Sequence, residues 1–225
     1  NYTRANKNIK ENKFAIIGIA GRFADAQNIH EFWTNLIKNK SSITSIPPNR
    51  LKDIQDFNID IYNTRFFKGG FIPNIDLFDE KFFRISPKEA QLMDPKQRIF
   101  LEIAYHALED AGYTKSKIYG SNTGVFVGVD NSVDTKFSYL SNIKEKNLLA
   151  TTGNSPSILA SRISYILNLK GPSVLIDTAC SSSLVSVHYA CNSIKNKECK
   201  IAKAGGINLF ELTIDNEVIT DIENK

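Results

Sequence analysis

The chain has 225 residues, 42% hydrophobic and 23% charged, which suits one large domain with its own core and excludes a wholly disordered chain. Its net charge is only +4 and its three cysteines form no even set, so neither a nucleic-acid-binding stripe nor a disulfide scaffold is expected. No apolar run approaches the roughly 18 residues of a membrane helix, and no secretory signal opens the chain, so we expect a soluble, cytoplasmic protein.

The first predicted elements are a strand and three helices. A nearly continuous apolar run at 14–19 is typical of a strand buried on both faces. Apolar residues at helical spacing then predict a helix over 29–37. Pro87 and Pro95 each follow a small polar residue, which predicts two further helix starts, and the second of these helices runs over 94–110.

Strands and helices continue to alternate in the second part of the chain. Strands are predicted at 123–129 and 172–177, and helices at 155–167 and 181–194. The last helix is apolar nearly all round, so we expect it to lie buried in the middle of the domain. The alternation predicts an α/β fold with a largely parallel sheet.

The two ends of the chain are polar and oppositely charged. Residues 1–13 carry four bases against one acid, a charge of +3, whereas residues from Glu211 onward carry five acids against one lysine, a charge of −4. We predict a basic tail or linker over 1–13, a folded region over 14–209 and an acidic tail over 210–225.

Cys180 lies where a predicted buried strand turns into a predicted buried helix, in the sequence D-T-A-C-S-S-S at 177–183. Unpaired amides and the helix dipole favour a negative charge at such a position, by up to about 2 kcal/mol. Cys180 is therefore the candidate nucleophile, whereas Cys191 and Cys199 are interpreted as inert packing residues.

No general base accompanies this cysteine in the local sequence. His188 is eight residues further along the same predicted helix, a rise of roughly 12 Å, so it cannot contact the sulfur and is interpreted as a core or interface residue. His30 and His106 belong to other helices, and the cysteines have no metal-binding spacing. The chain also lacks a G-x-S-x-G elbow, a phosphate-binding loop and a dinucleotide fingerprint.

Ten short motifs occur in an order that resembles one family, the β-ketoacyl synthase (ketosynthase) domains of modular polyketide synthases and related fatty-acid synthases. They include F-A-I-I-G-I-A-G-R-F at 14–23, M-D-P-K-Q-R at 93–98, T-G-V-F-V-G at 123–128, D-T-A-C-S-S-S-L-V at 177–185 and A-G-G-I-N at 204–208.

The resemblance implies a thiolase-like fold of two similar halves, of which this chain resembles the first. It implies that Cys180 accepts an acyl chain as a thioester from an acyl carrier protein, for decarboxylative condensation with a malonyl-type extender. The backbone amide of Cys180 is expected to be one oxyanion donor. No cofactor or metal is expected on this chain, because the phosphopantetheine belongs to the carrier protein, and the complete domain is expected to be a homodimer.

The chain also departs from the family pattern. Lys96 stands where glutamine is usual and Arg84 where glycine is common, and both are interpreted as neutral surface changes. After Leu209 the resemblance ends, so the family's catalytic histidines and lysine are missing and the chain is expected to be a fragment or truncated product that cannot condense alone. The alternative is a non-catalytic scaffold that binds carrier protein or a partner synthase.

Overall fold

The computed structural model describes residues 13–50, 68–129 and 148–209. Its centre is a sheet of three parallel strands, β3 (Thr123–Val129), β4 (Ser173–Ile176) and β5 (Ile201–Ile207), with β3 in the middle. In the register of this sheet, Val127 of β3 is opposite Leu175 on one side and Gly205 on the other. The predicted α/β class with a parallel sheet is therefore confirmed.

The described helices begin at caps that the sequence indicates. Asn28 accepts a hydrogen bond from the Glu31 amide at 2.9 Å, and Ser86 and Asp94 cap the two helices that begin with proline. No helix in the described ranges is both long and apolar enough to span a bilayer. The helices are α1 (Ile29–Ile37), α2 (Glu80–Phe83), α3 (Pro87–Leu92), α4 (Pro95–Asp110), α5 (Lys115–Ile118), α6 (Leu148–Asn154), α7 (Ile158–Ile166) and α8 (Ser182–Lys195), and a short antiparallel ladder joins β1 (Thr44–Ser45) to β2 (Lys68–Gly69).

Two helical layers cover the two faces of the sheet. Val125 and Val127 of β3 pack with α4 and α7 in the main core, which also contains Ile99 and Ile163. Phe126 points to the opposite face and packs against Ala190 of α8. Since side chains alternate along a strand, β3 serves both layers and is buried over its whole length.

A buried guanidinium joins the helices at one corner of the domain. Arg162 of α7 donates to Glu89 of α3 at 2.6 Å and to Gln97 of α4 at 2.8 Å. Gln97 in turn donates to the carbonyl groups of Thr152 and Ser155. Because these side chains are largely buried, the network fixes α3, α4, α6 and α7 relative to one another.

The strand predicted at 14–19 is wrong. The segment is coil, and its apolar side chains are largely exposed, Ile16 at 88%. Only its end is fixed, where the Ile19 amide donates to Asp110 at 2.8 Å and Gly18 lies against the end of α4. No strand among the described residues pairs with this segment, and an apolar run needs such a partner to become a buried strand.

The helix predicted over 181–194 forms as α8. The prediction that it lies buried in the middle of the domain is wrong. Its buried residues are small, and its large apolar residues face outward, with Leu184 exposed at 75% and Val187 and Tyr189 exposed by about half. Hydrophobicity alone therefore did not identify the inner face. The buried set is Ser182, Ser186, Ala190 and Ser193.

The interpretation of Lys96 as a surface change is wrong, whereas Arg84 does lie at the surface. Lys96 lies in the first turn of α4 and is buried. Arg84 is exposed, but it ends α2 at φ 57° and ψ 41°, in the left-handed region. A residue with a Cβ atom adopts that conformation at a cost of about 1 kcal/mol relative to glycine, which explains the glycine expected there. Apart from Lys13, the predicted tails lie outside the described residues.

Lys203 is a partly buried base on β5. Its Nζ atom donates to the Ala104 carbonyl of α4 at 2.6 Å, and no acidic side chain in the described part of the chain forms an ion pair with it. Burial lowers the pKa of Lys203 from 10.5 to about 7. The charged form is therefore disfavoured in the folded state relative to the unfolded state.

We predict that the free energy of unfolding rises with pH between about 7 and 10.5, because the unfolded chain then keeps a proton that the folded Lys203 has released. Below pH 7 both states are protonated, so the destabilisation is fully present. Lys203→Met should raise the free energy of unfolding at pH 6 and flatten this dependence. Urea unfolding at several pH values measures both effects, and the exposed Lys200→Met is the control. An unchanged slope in Lys203→Met contradicts the prediction.

Candidate functional site

The candidate site is the connection between β4 and α8, at the carboxyl end of the parallel sheet. Cys180 lies in a 3₁₀ turn (Ala179–Ser181) that directly precedes α8, and its side chain is exposed. This position agrees with the predicted location at the start of the helix. In parallel α/β sheets, ligands bind at this end of the strands.

The turn holds a backbone conformation that is unfavourable for its sequence. Ala179, the residue before the cysteine, has φ 53°, in the left-handed region. For a residue with a Cβ atom this conformation costs about 1 kcal/mol, so the surrounding contacts must maintain it. The sharp reversal at Ala179 turns the chain from the strand into the helix and leaves Cys180 at the surface.

Hydrogen bonds from hydroxyl groups hold this turn. The amide of Thr178 donates to Ser182 Oγ at 2.9 Å, and Ser182 Oγ lies 2.7 Å from the Ala179 carbonyl oxygen. Ser181 Oγ donates to the Thr178 carbonyl at 2.8 Å, and the Ala179 amide donates to Asp177 Oδ1 at 3.1 Å. The turn is therefore fixed on both sides of the strained residue.

Close contact with the sheet fixes the start of α8. A Cβ atom on Gly128 of β3 would lie 2.5 Å from the Ser182 carbonyl carbon, and one on Gly206 of β5 would lie 2.7 Å from Ser183 Cβ. Ser186, one turn later, reaches the Gly205 carbonyl at 3.0 Å. The position of Cys180 thus follows from how closely α8 approaches β3 and β5.

The amide of Cys180 is available for a ligand. No hydrogen bond joins it to another residue within the ranges that the structure describes. It belongs to the set of amides at a helix start that have no partner within the helix and favour bound negative charge. A thiol and an open amide on one exposed residue suit attack on a carbonyl group and stabilisation of the resulting oxyanion.

The other cysteines and His188 do not contribute to this site. Cys199 is buried beside Ser193, and Cys191 is half-buried in α8. Of the two interpretations of His188, the core residue is wrong, because its ring is exposed and lies 2.8 Å from the Asn192 side-chain amide, and the interface residue stays a prediction.

The remaining histidines lie together in a different place. His30 of α1 and His106 of α4 line one cleft of about 1290 Å³, whose lining does not include Cys180. Within 13–50, 68–129 and 148–209, no group of three histidine, cysteine or acidic side chains could hold a metal ion.

The residues that support Cys180 could not be recognised from the sequence. Ser182 and the strained Ala179 were not singled out, since a run of serines gives no signal for which hydroxyl turns inward. Gly128 did carry a signal, because a glycine inside a buried strand often marks close approach of another backbone.

A model of one protein family matches most of the chain. The model is described as the β-ketoacyl synthase, N-terminal domain, and it matches residues 11–216. Polyketide synthase PksM of Bacillus subtilis is 41% identical over 217 residues, a match that covers 96% of this chain and 5% of that protein. This chain therefore spans about one twentieth of the length of this curated relative.

Solved ketosynthase structures superpose on the chain. The ketosynthase from module 6 of the bacillaene synthase of Bacillus subtilis has a TM-score of 0.76 at 38% identity, covering 93% of this chain and 33% of that one. The oxazolomycin ketosynthase domain OzmH KS7 of Streptomyces albus has a TM-score of 0.78 at 32% identity, covering 92% of this chain and 36% of that one. The predicted thiolase-like fold is confirmed, and the chain spans about a third of these solved chains.

We predict that Gly128→Ala destabilises the chain by about 1 to 3 kcal/mol, because the added methyl group overlaps the backbone of Ser182. Urea unfolding measures the change. Gly205→Ala is the matched control on the neighbouring strand, since its Cβ would meet only the Phe100 ring at 3.4 Å, an ordinary contact. If the two substitutions destabilise the chain equally, the close approach of α8 does not determine the cost of a Cβ atom at position 128.

Proposed function

Because the chain belongs to the β-ketoacyl synthase family, through its N-terminal domain, we propose that Cys180 is the nucleophile that accepts an acyl chain as a thioester. The observation that carries this proposal is an exposed thiol in a strained turn at the start of α8. Family membership implies acyl-condensation chemistry, and Cys180 is the cysteine of the matching D-T-A-C-S-S-S motif.

In the proposed first step, the Cys180 thiolate attacks the thioester carbonyl of an acyl group carried by an acyl carrier protein. The carbonyl oxygen gains negative charge, and the Cys180 amide donates a hydrogen bond to it. The intermediate then collapses with cleavage of the bond to the carrier's phosphopantetheine sulfur, which leaves and takes up a proton. The acyl group is now bound to Cys180, with no net oxidation or reduction.

In the second step of the family reaction, a malonyl-type extender loses CO₂ and its carbanion attacks the Cys180 thioester, which releases the thiolate. The described histidines do not serve this step. His188 faces solvent along α8, and His30 and His106 line a separate cleft. We propose that the chain accepts an acyl group but needs the histidine-bearing second half for condensation. The reaction is proposed to occur in the cytoplasm.

We predict that an acyl thioester or iodoacetamide modifies Cys180 faster than Cys191 and Cys199, because Cys180 is the exposed thiol. Peptide mass spectrometry of the modified chain measures the order, and Cys180→Ser should abolish the fast phase while Cys191→Ser preserves it. With acyl and malonyl carrier proteins, the acyl group should reach Cys180 without formation of a β-ketoacyl product. If all three thiols are equally inert, the non-catalytic scaffold alternative is favoured. If a β-ketoacyl product forms, the proposal that the chain needs a second half for condensation is contradicted.

We also propose that two copies associate along β4. Within the described residues β4 has a neighbour on one side only, and its Ser173 and Val174 side chains are exposed. An open strand edge with an exposed apolar side chain, here Val174, favours pairing with another strand.

Val174→Lys should therefore weaken self-association by about tenfold or more, as measured by sedimentation equilibrium, because charge on an edge strand opposes pairing. Leu148→Lys, on an exposed residue of α6, is the control. A wild-type chain that stays monomeric, or equal effects of both variants, contradicts this interface.

A further inference from the structure

We propose that Ser182 is a positioning residue, whose hydroxyl holds the strained turn that presents Cys180. This proposal rests on the function proposed for Cys180 and extends it to a residue that neither the motif nor the family match assigns. Ser182 is the first residue of α8 and is 5% exposed, so its hydroxyl bonds to protein groups and not to water.

The Ser182 hydroxyl lies at the junction of three parts of the chain. It accepts a hydrogen bond from the Thr178 amide at 2.9 Å. It donates to the Ala179 carbonyl at 2.7 Å, and the carbonyl oxygen of Val129, at the end of β3, is 3.3 Å away. One hydroxyl therefore ties the peptide group before Thr178 to the peptide group after Ala179, and it places them beside the end of the central strand.

Among the described residues, no other side chain bonds to the Thr178 amide or to the Ala179 carbonyl. Ser181, at the N-cap of α8, makes no side-chain bond to a helix amide, and its hydroxyl is directed to Thr178. Without the Ser182 hydroxyl, the Thr178 amide loses its partner, and the Ala179 carbonyl keeps only the Ser182 backbone amide. Ala179 could then leave the left-handed region and relieve about 1 kcal/mol of strain. That rotation changes the direction of the following peptide group and moves the Cys180 amide and thiol together.

The same helix supplies a matched control. Ser193 is also buried, and its hydroxyl lies 3.4 Å from Cys199 Sγ. It lies about three turns further along α8 and bonds to no residue of the 178–181 turn. Ser193→Ala therefore removes an equally buried hydroxyl without touching the proposed positioning contacts.

The first test measures the second-order rate of Cys180 alkylation by iodoacetamide in the 225-residue chain. Ser182→Ala should slow the reaction by about tenfold, whereas Ser193→Ala should change it by less than about twofold. Urea unfolding of both variants separates positioning from stability. Equal slowing in the two variants, or no slowing in Ser182→Ala, overturns the proposal.

The second test uses compensation at Ala179. Glycine adopts φ 53° without the penalty of a Cβ atom, so the turn no longer depends on the hydroxyl. Ala179→Gly in the Ser182→Ala background should recover most of the lost rate, to within about threefold of the wild-type chain. Ser182→Thr, which keeps the hydroxyl, should also stay within about threefold. A double variant as slow as Ser182→Ala overturns the proposal.

A third measurement does not depend on thiol chemistry. The Thr178 amide donates to Ser182 Oγ, so its hydrogen exchange should become at least about tenfold faster in Ser182→Ala and stay unchanged in Ser193→Ala. If Cys180 reacts no faster than Cys191 in the wild-type chain while this exchange difference is present, the proposed function fails and the positioning contact stands. If Cys180 is reactive and Thr178 exchange is the same in all variants, the positioning role fails alone.

Discussion

The short distance between α8 and the sheet is the constraint on which the rest of the structure depends. Gly128 and Gly206 leave no room for a Cβ atom beneath the first turn of the helix, and the hydroxyl of Ser186 reaches the Gly205 carbonyl. Small residues therefore form the inner face of α8. Large apolar residues such as Leu184 are turned outward as a consequence, and the start of the helix, with Cys180, is placed at the end of the strands.

Local signals in the sequence were sufficient for most elements of the fold. The central strand was predicted with the bounds that β3 has, and α1 and the two proline-led helices begin at the predicted residues. These elements are specified by short-range chemistry, namely side-chain caps, the fixed φ of proline and the alternation or continuity of apolar residues. The segment at 14–19 failed because a strand also needs a partner strand, and that condition is not local.

Part of the site could be predicted from the sequence. The part that could not be predicted depends on how the helix and the strands pack in three dimensions. Cys180 could be selected because a motif and a strand-to-helix junction coincide at one residue. The burial of α8 could not be predicted from hydrophobicity, because the face that packs is chosen by the glycines of two strands far away in sequence. The left-handed conformation of Ala179 and the inward direction of the Ser182 hydroxyl have no sequence signature, since alanine rarely adopts such a φ and neighbouring serines look alike.

The pairing of β3 with β5 determines the order in which the core can be completed. Thr123 pairs with Ile201, which is synthesised 78 residues later, so the central strand leaves the ribosome long before its second neighbour exists. Until then one edge of a strand rich in valine and phenylalanine stays open. Closing so long a loop is slow compared with forming a helix, and contacts of this kind delay folding. The nascent chain therefore passes through an interval in which its most buried strand is available to other chains.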